Sequence, residues 1–410
     1  MPKAYVGSEV GQLKRVILHR PGQELARLTP GNKDELLFDE IPWVEKAQEE
    51  HDQFAETLRK LDVEVLYLHE LLAETLEIPQ ARDHLLKQLL DIEVFGPAAI
   101  EPLTRLLTSI TADELASFLI GGLTKDEALE HGADVTNSLV FSTMDTDRFI
   151  LAPLPNHLFT RDTSCWVYGG VAVNSMRWGA RIRESMNYDT IYRYHPTLSV
   201  CAPFERWGGG LGVGHATMEG GDVHVLGHGA VMIGISERTS PQGIERLAGQ
   251  LFAKKAADKV IGIQLPSSRA TMHLDTVMSM VDDHSFTKFA GLGMLPSFTL
   301  EPGDGDDDLK VTRHAPEQMH DAIAAALGVD TIRTLTAPQS LGAAEREQWD
   351  DGCNVLAVRP GVVVAYERNV TSNQFLEENG IEVHTIAGSE LGRGRGGPRC
   401  MSCPIEREDI

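Results

Sequence analysis

Cys400 has the surroundings of a nucleophile. It lies in Gly392-Arg-Gly-Arg-Gly-Gly-Pro-Arg-Cys-Met-Ser-Cys-Pro404. Glycines free the backbone, and Arg393, Arg395 and Arg399 bring positive potential. Such a setting is expected to lower a thiol pKa and to expose the sulfur. Cys400 and Cys403 also spell a CxxC pair, the mark of a dithiol or zinc site. A structural zinc needs four ligands, usually from two such knuckles. Cys165, Cys201 and Cys353 stand alone, so the second knuckle is missing. A redox CxxC belongs early in a βα unit, not at the far end of the sequence. A merely structural Cys400 is the third reading, and the glycine and arginine setting argues against it.

Acid–base partners are present but scattered. His273 lies in Ser268-Arg-Ala-Thr-Met-His-Leu-Asp-Thr-Val277. If this is a strand, His273 and Asp275 point to one face. Met218-Glu-Gly-Gly-Asp222 places Glu219 and Asp222 around a Gly-Gly turn that lets another group approach closely. His215, His224 and His228 flank it. They are not read as metal ligands, because the glycine-rich strand pattern breaks helical i, i+4 pairing. Asn156-His-Leu-Phe-Thr-Arg-Asp162 follows Pro153 and Pro155 and by itself is a polar loop. P-loop, dinucleotide and GxSxG signatures are absent. Each motif also has a bland reading: a surface His–Asp pair, an acidic turn, a solvated loop.

The elements that must position these groups are α/β. Leu13 to His19 reads as a strand. Trp43 to Leu61 has helical periodicity, with Ala47, Phe54, Leu58 and Leu61 on one side, and Val63, Val65 and Tyr67 alternate in a second strand. From Leu71 to about Asp145 the chain is Leu-rich and nearly free of strand signal. Thr111-Ala-Asp-Glu114 and Thr124-Lys-Asp-Glu127 both fit a capping box. This stretch reads as a small helical bundle, inserted because mixed patterning resumes after it. Beyond it, three strands end in arginine and lead to a helix: Gly170–Arg177, Val231–Arg238 and Gly361–Arg368. Those arginines are 61 and 130 residues apart, and the second interval is close to twice a period of about 65, as in sectors around an axis. Glu301–Asp308 reads as a solvated acidic turn without EF-hand spacing.

Composition narrows the function. In 410 residues, 37 Lys and Arg face 60 Asp and Glu, a formal charge of −23, so nucleic acid is a poor partner. A 42% apolar content supports a large core. Five cysteines do not make a disulfide framework, and no apolar run reaches the length of a membrane helix. The opening segment lacks the apolar core of a signal peptide, and the expected location is the cytoplasm.

Taken together, the motifs resemble the arginine deiminase family of the guanidino-group-modifying, or pentein, superfamily. The matching elements are Leu36–His51, Phe159–Asp162, Met218–Asp222, Ser236–Ser240, His273–Thr276, Trp349–Gly352, Tyr366–Asn369 and Arg399–Pro404. The resemblance implies a five-bladed pseudo-fivefold α/β propeller, 1–72 with 146–410, and an inserted helical domain, 73–145. It implies hydrolysis of L-arginine to L-citrulline and ammonia without metal or organic cofactor, by a homo-oligomer of two or four chains. Cys400 is then the nucleophile and His273 the acid and base. Glu219 orients His273, and Asp162 and Asp275 grip the guanidinium. Asn156, Phe159, Arg181, Asp222, Arg238 and Arg395 are implied to bind substrate, with Arg395 as a mobile gate. Arg181 and Arg238 would separate arginine from agmatine. Arg399 and Cys353 depart from the family pattern and are expected not to touch the chemistry. Alternatives are an agmatine or dimethylarginine hydrolase, a protein-arginine deiminase, an amidinotransferase, or a non-catalytic pentein. The last would be expected to lack Cys400 or its partners.

Overall fold

The computed structural model describes residues 4–134, 137–199, 204–208, 210–212, 214–305 and 308–410. Cys201, Asp306 and Asp307 therefore lie outside the described residues. One strand arrangement recurs in five sheets. In each, a middle strand pairs antiparallel with one neighbour and parallel with another. The middle strands are Leu13–Leu18, Gly170–Val173, Ala230–Ile235, Ser285–Lys288 and Val362–Tyr366. Their antiparallel partners are Cys403–Arg407, Ser164–Val167, Val223–Gly227, Met278–Met280 and Leu356–Arg359. Their parallel partners are Glu64–Tyr67, Glu205–Trp207, Lys259–Gln264, Arg333–Leu335 and Glu382–Ile386.

A parallel pair needs a crossover, and a helix supplies it each time. The crossover helices are Val44–Lys60, Ile182–Tyr194, Pro241–Ala253, Met319–Leu327 and Val370–Glu378. Pro241–Ala253 starts where Ser240 accepts from the Gly243 N–H and Pro241 fits the first turn. Val44–Lys60 buries Ala47, Phe54 and Leu58, the face its periodicity marks. The strands stop short of the arginines that mark the repeat: the first ends at Val173, the second at Ile235 and the third at Tyr366. Arg177, Arg238 and Arg368 sit in the turns that follow. Glu301–Asp308 joins the antiparallel strands Ser297–Pro302 and Leu309–His314, which widen the third sheet.

Between the strands Glu64–Tyr67 and Phe149–Leu151, the described residues form the helices Leu68–Leu76, Pro79–Leu89, Ile92–Phe95, Pro97–Ser109, Ala112–Gly121, Lys125–Glu130 and Leu139–Thr143. One short strand, Leu123–Thr124, interrupts them and pairs with Phe149–Leu151. Both capping boxes form: Thr111 with Glu114 and Thr124 with Glu127. The helices bury Leu72, Leu103, Leu107 and Leu115 in an apolar cluster that runs on into Trp166, Val171 and Tyr188. Their core is thus continuous with the sheet beneath. Among the described residues no helix is long and apolar enough to cross a membrane.

Thr111→Ala removes the hydroxyl that caps Ala112–Gly121, at a cost of about 1 kcal/mol. Hydrogen exchange should then quicken about fivefold within that helix and stay unchanged in Pro241–Ala253. Equal rates in both proteins would show that the cap carries no stability.

Candidate active site

The chemistry-bearing residues sit in irregular turns just before the antiparallel partner strands. Asp162 lies in Thr160–Thr163, ahead of Ser164–Val167. Glu219 precedes the 3-10 turn Gly220–Asp222, ahead of Val223–Gly227. His273 precedes the 3-10 turn Leu274–Thr276, ahead of Met278–Met280. Asn354 comes before Leu356–Arg359, and Cys400 before Cys403–Arg407. Ser268–Val277 is therefore not a strand: His273 is extended, Asp275 sits in the turn, and strict alternation does not apply. Asn156–Asp162 is not a solvated loop either, because all of it is buried.

The Gly-Gly turn does what its composition allows. A Cβ on Gly221 would lie 2.6 Å from Nδ1 of His273, and one on Gly220 would strike the Arg161 carbonyl. Only glycine lets the Glu219 turn and the His273 ring meet this closely. His273 Nε2 and Glu219 Oε2 are 2.8 Å apart, and His273 Nδ1 lies 3.7 Å from Asp162 Oδ1. The second ring nitrogen thus faces Asp162 while Glu219 holds the first.

Cys400 is buried, contrary to the exposed thiol its sequence implies. Asn354 Nδ2 donates to its sulfur at 3.1 Å, and the Cys400 N–H donates to Asn354 Oδ1 at 3.0 Å. Asp275 Oδ2 is 3.5 Å from the sulfur. Two of the three nearby arginines are committed to carboxylates. Arg393 pairs with Glu390 at 2.9 Å and with Glu40. Arg399 bonds Glu9 at 3.0 Å and Asp275 at 2.7 Å. Arg395 stacks on Trp349. Burial first, then Asp275, Asp162 and Asp351, push the Cys400 thiol well above its ordinary value, with Arg399 opposing. The expected low pKa is thus reversed in the empty site. Arg399 also touches Asp275 directly, so it is no bystander.

Asp162 and Asp275 share one feature. An arginine takes Oδ2 of each: Arg181 at 2.8 Å and Arg399 at 2.7 Å. Oδ1 of each is buried without a hydrogen-bond partner among the described residues. Cys403 lies elsewhere, against Ser164 and Tyr192, and Cys400 and Cys403 are both free thiols. The CxxC spacing therefore reflects neither a disulfide nor a shared site.

A narrow cleft opens onto this group, lined by Asp162, His273 and Cys400. Asn156, Phe159, Arg181, Arg238 and Arg395 also line it, together with Leu37, Arg269 and Met272. A family model described as arginine deiminase matches residues 34–407. The chain belongs to the arginine deiminase family. It thereby falls in the guanidino-group-modifying, or pentein, superfamily. Solved structures similar to it include SxtG, an amidinotransferase from Microseira wollei in the saxitoxin biosynthetic pathway. That match has 11% identity, covers 99% of this chain and 98% of that one, and has a TM-score of 0.58. A dimethylarginine dimethylaminohydrolase adduct with S-methyl-L-thiocitrulline matches at 15% identity, 95% and 99% coverage and a TM-score of 0.53. The product-bound N-terminal domain of ArgZ, a cyanobacterial arginine dihydrolase, matches at 10% identity, 96% and 97% coverage and a TM-score of 0.54. At these identities the likeness is one of fold.

For a deiminase-family cleft, the cations are unequally available. Arg181 bonds Glu184 at 2.9 Å as well as Asp162, so its donors are largely committed. Arg238 is held more loosely, at 3.4 Å from Glu219, 3.5 Å from Glu237 and 3.9 Å from the Met272 sulfur, and its Nε makes no hydrogen bond among the described residues. Asp222 does not line the cleft. Its Oδ1 accepts from the Leu274 N–H at 2.8 Å and its Oδ2 from the Ser236 hydroxyl at 2.6 Å. Phe159 stacks on Phe38 with centroids 6.3 Å apart. Ligand atoms of Asp162, Glu219 and His273 lie within 4.8 Å of one another, a spacing that could hold a metal ion. Arg181 and Arg238 already bring positive charge to that spot. Asn354, Leu37, Arg269 and Met272 carried no signal in the sequence beyond being near a motif.

Burial would lower the His273 pKa, but Asp162 and then Glu219 and Asp222 outweigh it and raise it to about 9. The imidazolium therefore stabilises the fold fully below the unfolded value of 6.5, and that contribution is lost as pH rises through about 9. Nuclear magnetic resonance of the free protein should find His273 protonated at pH 7.5, and Glu219→Gln should move its titration down toward neutrality. A neutral His273 at pH 7 would contradict the geometry. Ultraviolet titration of free protein should show no Cys400 thiolate at neutral pH. Gly221→Ala should cut turnover by about a hundredfold through displacement of the His273 ring while the fold persists.

Proposed function

We propose that the protein hydrolyses L-arginine to L-citrulline and ammonia through a covalent intermediate on Cys400. The observation that carries this reading is one cleft lined by Cys400, Asp162 and His273, with Asp275 against the Cys400 sulfur and Glu219 against the His273 ring. Two unspent carboxylate oxygens suit a planar cation with paired N–H donors. Asp162 and Asp275 would hold the guanidinium carbon beside the sulfur, making attack nearly intramolecular.

The substrate itself supplies the charge the thiol lacks. A bound guanidinium offsets the carboxylates that raise Cys400, so the thiol proton passes to solvent as substrate enters, His273 being already protonated. The thiolate attacks the central carbon and gives a tetrahedral adduct. His273 donates a proton to the departing nitrogen, and ammonia leaves. Because Glu219 holds Nε2, the donated proton comes from Nδ1. An S-alkylthiouronium remains on Cys400. Neutral His273 takes a proton from water as the oxygen attacks the same carbon, and collapse releases citrulline and the thiolate. One imidazole acts as acid and then base. Asp222, with both oxygens engaged, acts by positioning the His273 turn rather than by touching substrate. Asn354 steadies the sulfur.

For the α-carboxylate, Arg238 is less committed than Arg181, which bonds both Glu184 and Asp162. Asn156 and Phe159 would border the amino-acid stem, and Arg395 would gate the mouth. We further propose that the five recurring units are blades about a pseudo-fivefold axis and that 73–145 is an inserted helical domain. A cytoplasmic homo-oligomer of two or four chains completes the family reading. Other guanidine chemistries in the superfamily, including amidino transfer, differ in products. Measurement of citrulline, ammonia and ornithine from candidate substrates separates them.

Mass spectrometry of protein quenched during turnover should find an adduct on Cys400, and Cys400→Ser should abolish turnover. Wild-type turnover by that variant would refute the mechanism. Arg238→Leu should lower kcat/KM for arginine by at least a hundredfold, the scale of a lost charge-assisted pair, and leave agmatine use little changed. Equal loss on both substrates would remove Arg238 from carboxylate recognition.

A further inference from the structure

The Trp349-Asp350-Asp351-Gly352 motif takes no part in the steps above, yet an unusual pair of charges sits beside it. Arg395 is 3% exposed, and Nε, Nη1 and Nη2 all lack hydrogen-bond partners among the described residues. Its guanidinium carbon lies 3.5 Å from the centroid of the Trp349 ring. Asp351 is also buried, and neither of its carboxylate oxygens has a hydrogen-bond partner among the described residues. Each is the other's leading charged neighbour.

Buried charges are normally paired, because an unpaired one forfeits its hydration. Burial pushes the Asp351 carboxyl up to about 7 although Arg395 opposes it, so a cation stands unpaired beside a partly ionised acid and needs a restraint. The indole face is such a restraint. It attracts a guanidinium through its quadrupole but offers no acceptor oxygen, so the hold is real and easily exchanged. The backbone is also poised. Arg395 has φ +64°, a conformation unfavourable for a residue with a side chain. The rings of Phe38 and Phe159 press on the neighbouring Gly394 and Gly396, where a Cβ would collide. Asp351 lies in the electrostatic neighbourhood of both Cys400 and Asp275. A protein guanidinium drawn onto Asp351 would thus oppose, through its charge, a substrate guanidinium held by Asp275.

We propose that Trp349 is a positioning residue that berths the Arg395 guanidinium away from Asp351 and so keeps the inner cleft open to a cationic substrate. The inference rests on the guanidine-site reading given above and deepens it. Trp349 is 48% exposed, so its truncation leaves little cavity.

The test begins without substrate. In Trp349→Leu, Arg395 swings onto Asp351 and lowers the Cys400 thiol pKa. Alkylation of Cys400 by iodoacetamide at neutral pH should quicken by roughly threefold or more. KM for L-arginine should rise roughly five- to tenfold, the worth of a cation–π contact, with kcat within twofold. Trp349→Phe keeps a ring and should match wild type in both readouts. W349L/D351N should return alkylation and KM toward wild type, a rescue that a purely structural role for Trp349 would not give. An alkylation rate in W349L equal to wild type, or a double variant that stays fast, overturns the berth. A wild-type protein that fails to hydrolyse arginine refutes the proposed reaction instead, and the alkylation series still decides the berth.

Discussion

Two buried carboxylates, each half satisfied, set the terms for everything around them. Asp162 and Asp275 are anchored through Oδ2 by Arg181 and Arg399, and each keeps Oδ1 unpartnered among the described residues. A buried carboxylate oxygen without a donor is costly, and a charge-assisted hydrogen bond returns about 1.5–3 kcal/mol. Two such oxygens suit a planar, doubly donating cation. Nearby carboxylates also favour a protonated His273 and a neutral Cys400. The imidazolium is thus ready to give a proton, while the sulfur would need an added positive charge to ionise.

The fold meets this demand by repetition. Each unit places an irregular turn ahead of its antiparallel partner strand, and each turn delivers a group: Asp162, Glu219, His273 with Asp275, Asn354, Cys400. The crossover helices and buried middle strands fix where those turns start. The turns themselves are held by polar contacts reaching across units. Asp222 supports the Leu274 N–H, Arg399 ties Asp275 to Glu9, and the Arg161 N–H bonds the Cys400 carbonyl at 3.1 Å. Rigid elements and cross-linked turns together hold side chains that are 238 residues apart in sequence, as Asp162 and Cys400 are.

What sequence reveals follows the range of the forces involved. Capping boxes at Thr111 and Thr124 and the helix after Ser240 are local, and they stand where their residues place them. Gly220 and Gly221 advertise a close approach, and the His273 ring is what approaches. Cys400 is different. Its type and glycine setting are local, but its burial and raised pKa come from Asp275, Asp162 and Asp351, brought from other units. The arginines beside it look available until Glu9, Glu40 and Trp349 appear. His273 and Asp275 share a site without sharing a strand, because a 3-10 turn replaces alternation. Asn354 is one asparagine among several, and only tertiary structure puts its amide on the sulfur.

The strand Cys403–Arg407 pairs with Leu13–Leu18 and, in parallel, with Tyr5–Val6. One sheet thus joins segments separated by nearly the whole polypeptide, and the sulfur nucleophile stands immediately before the late strand. During synthesis on a ribosome, that sheet stays incomplete until the late strand has left the exit tunnel. A nascent chain therefore holds Asp162, Glu219 and His273 long before it holds Cys400 and the Gly394–Arg395 wall of the cleft. A chain that stops short of that wall lacks both the sulfur and the strand that would seat it.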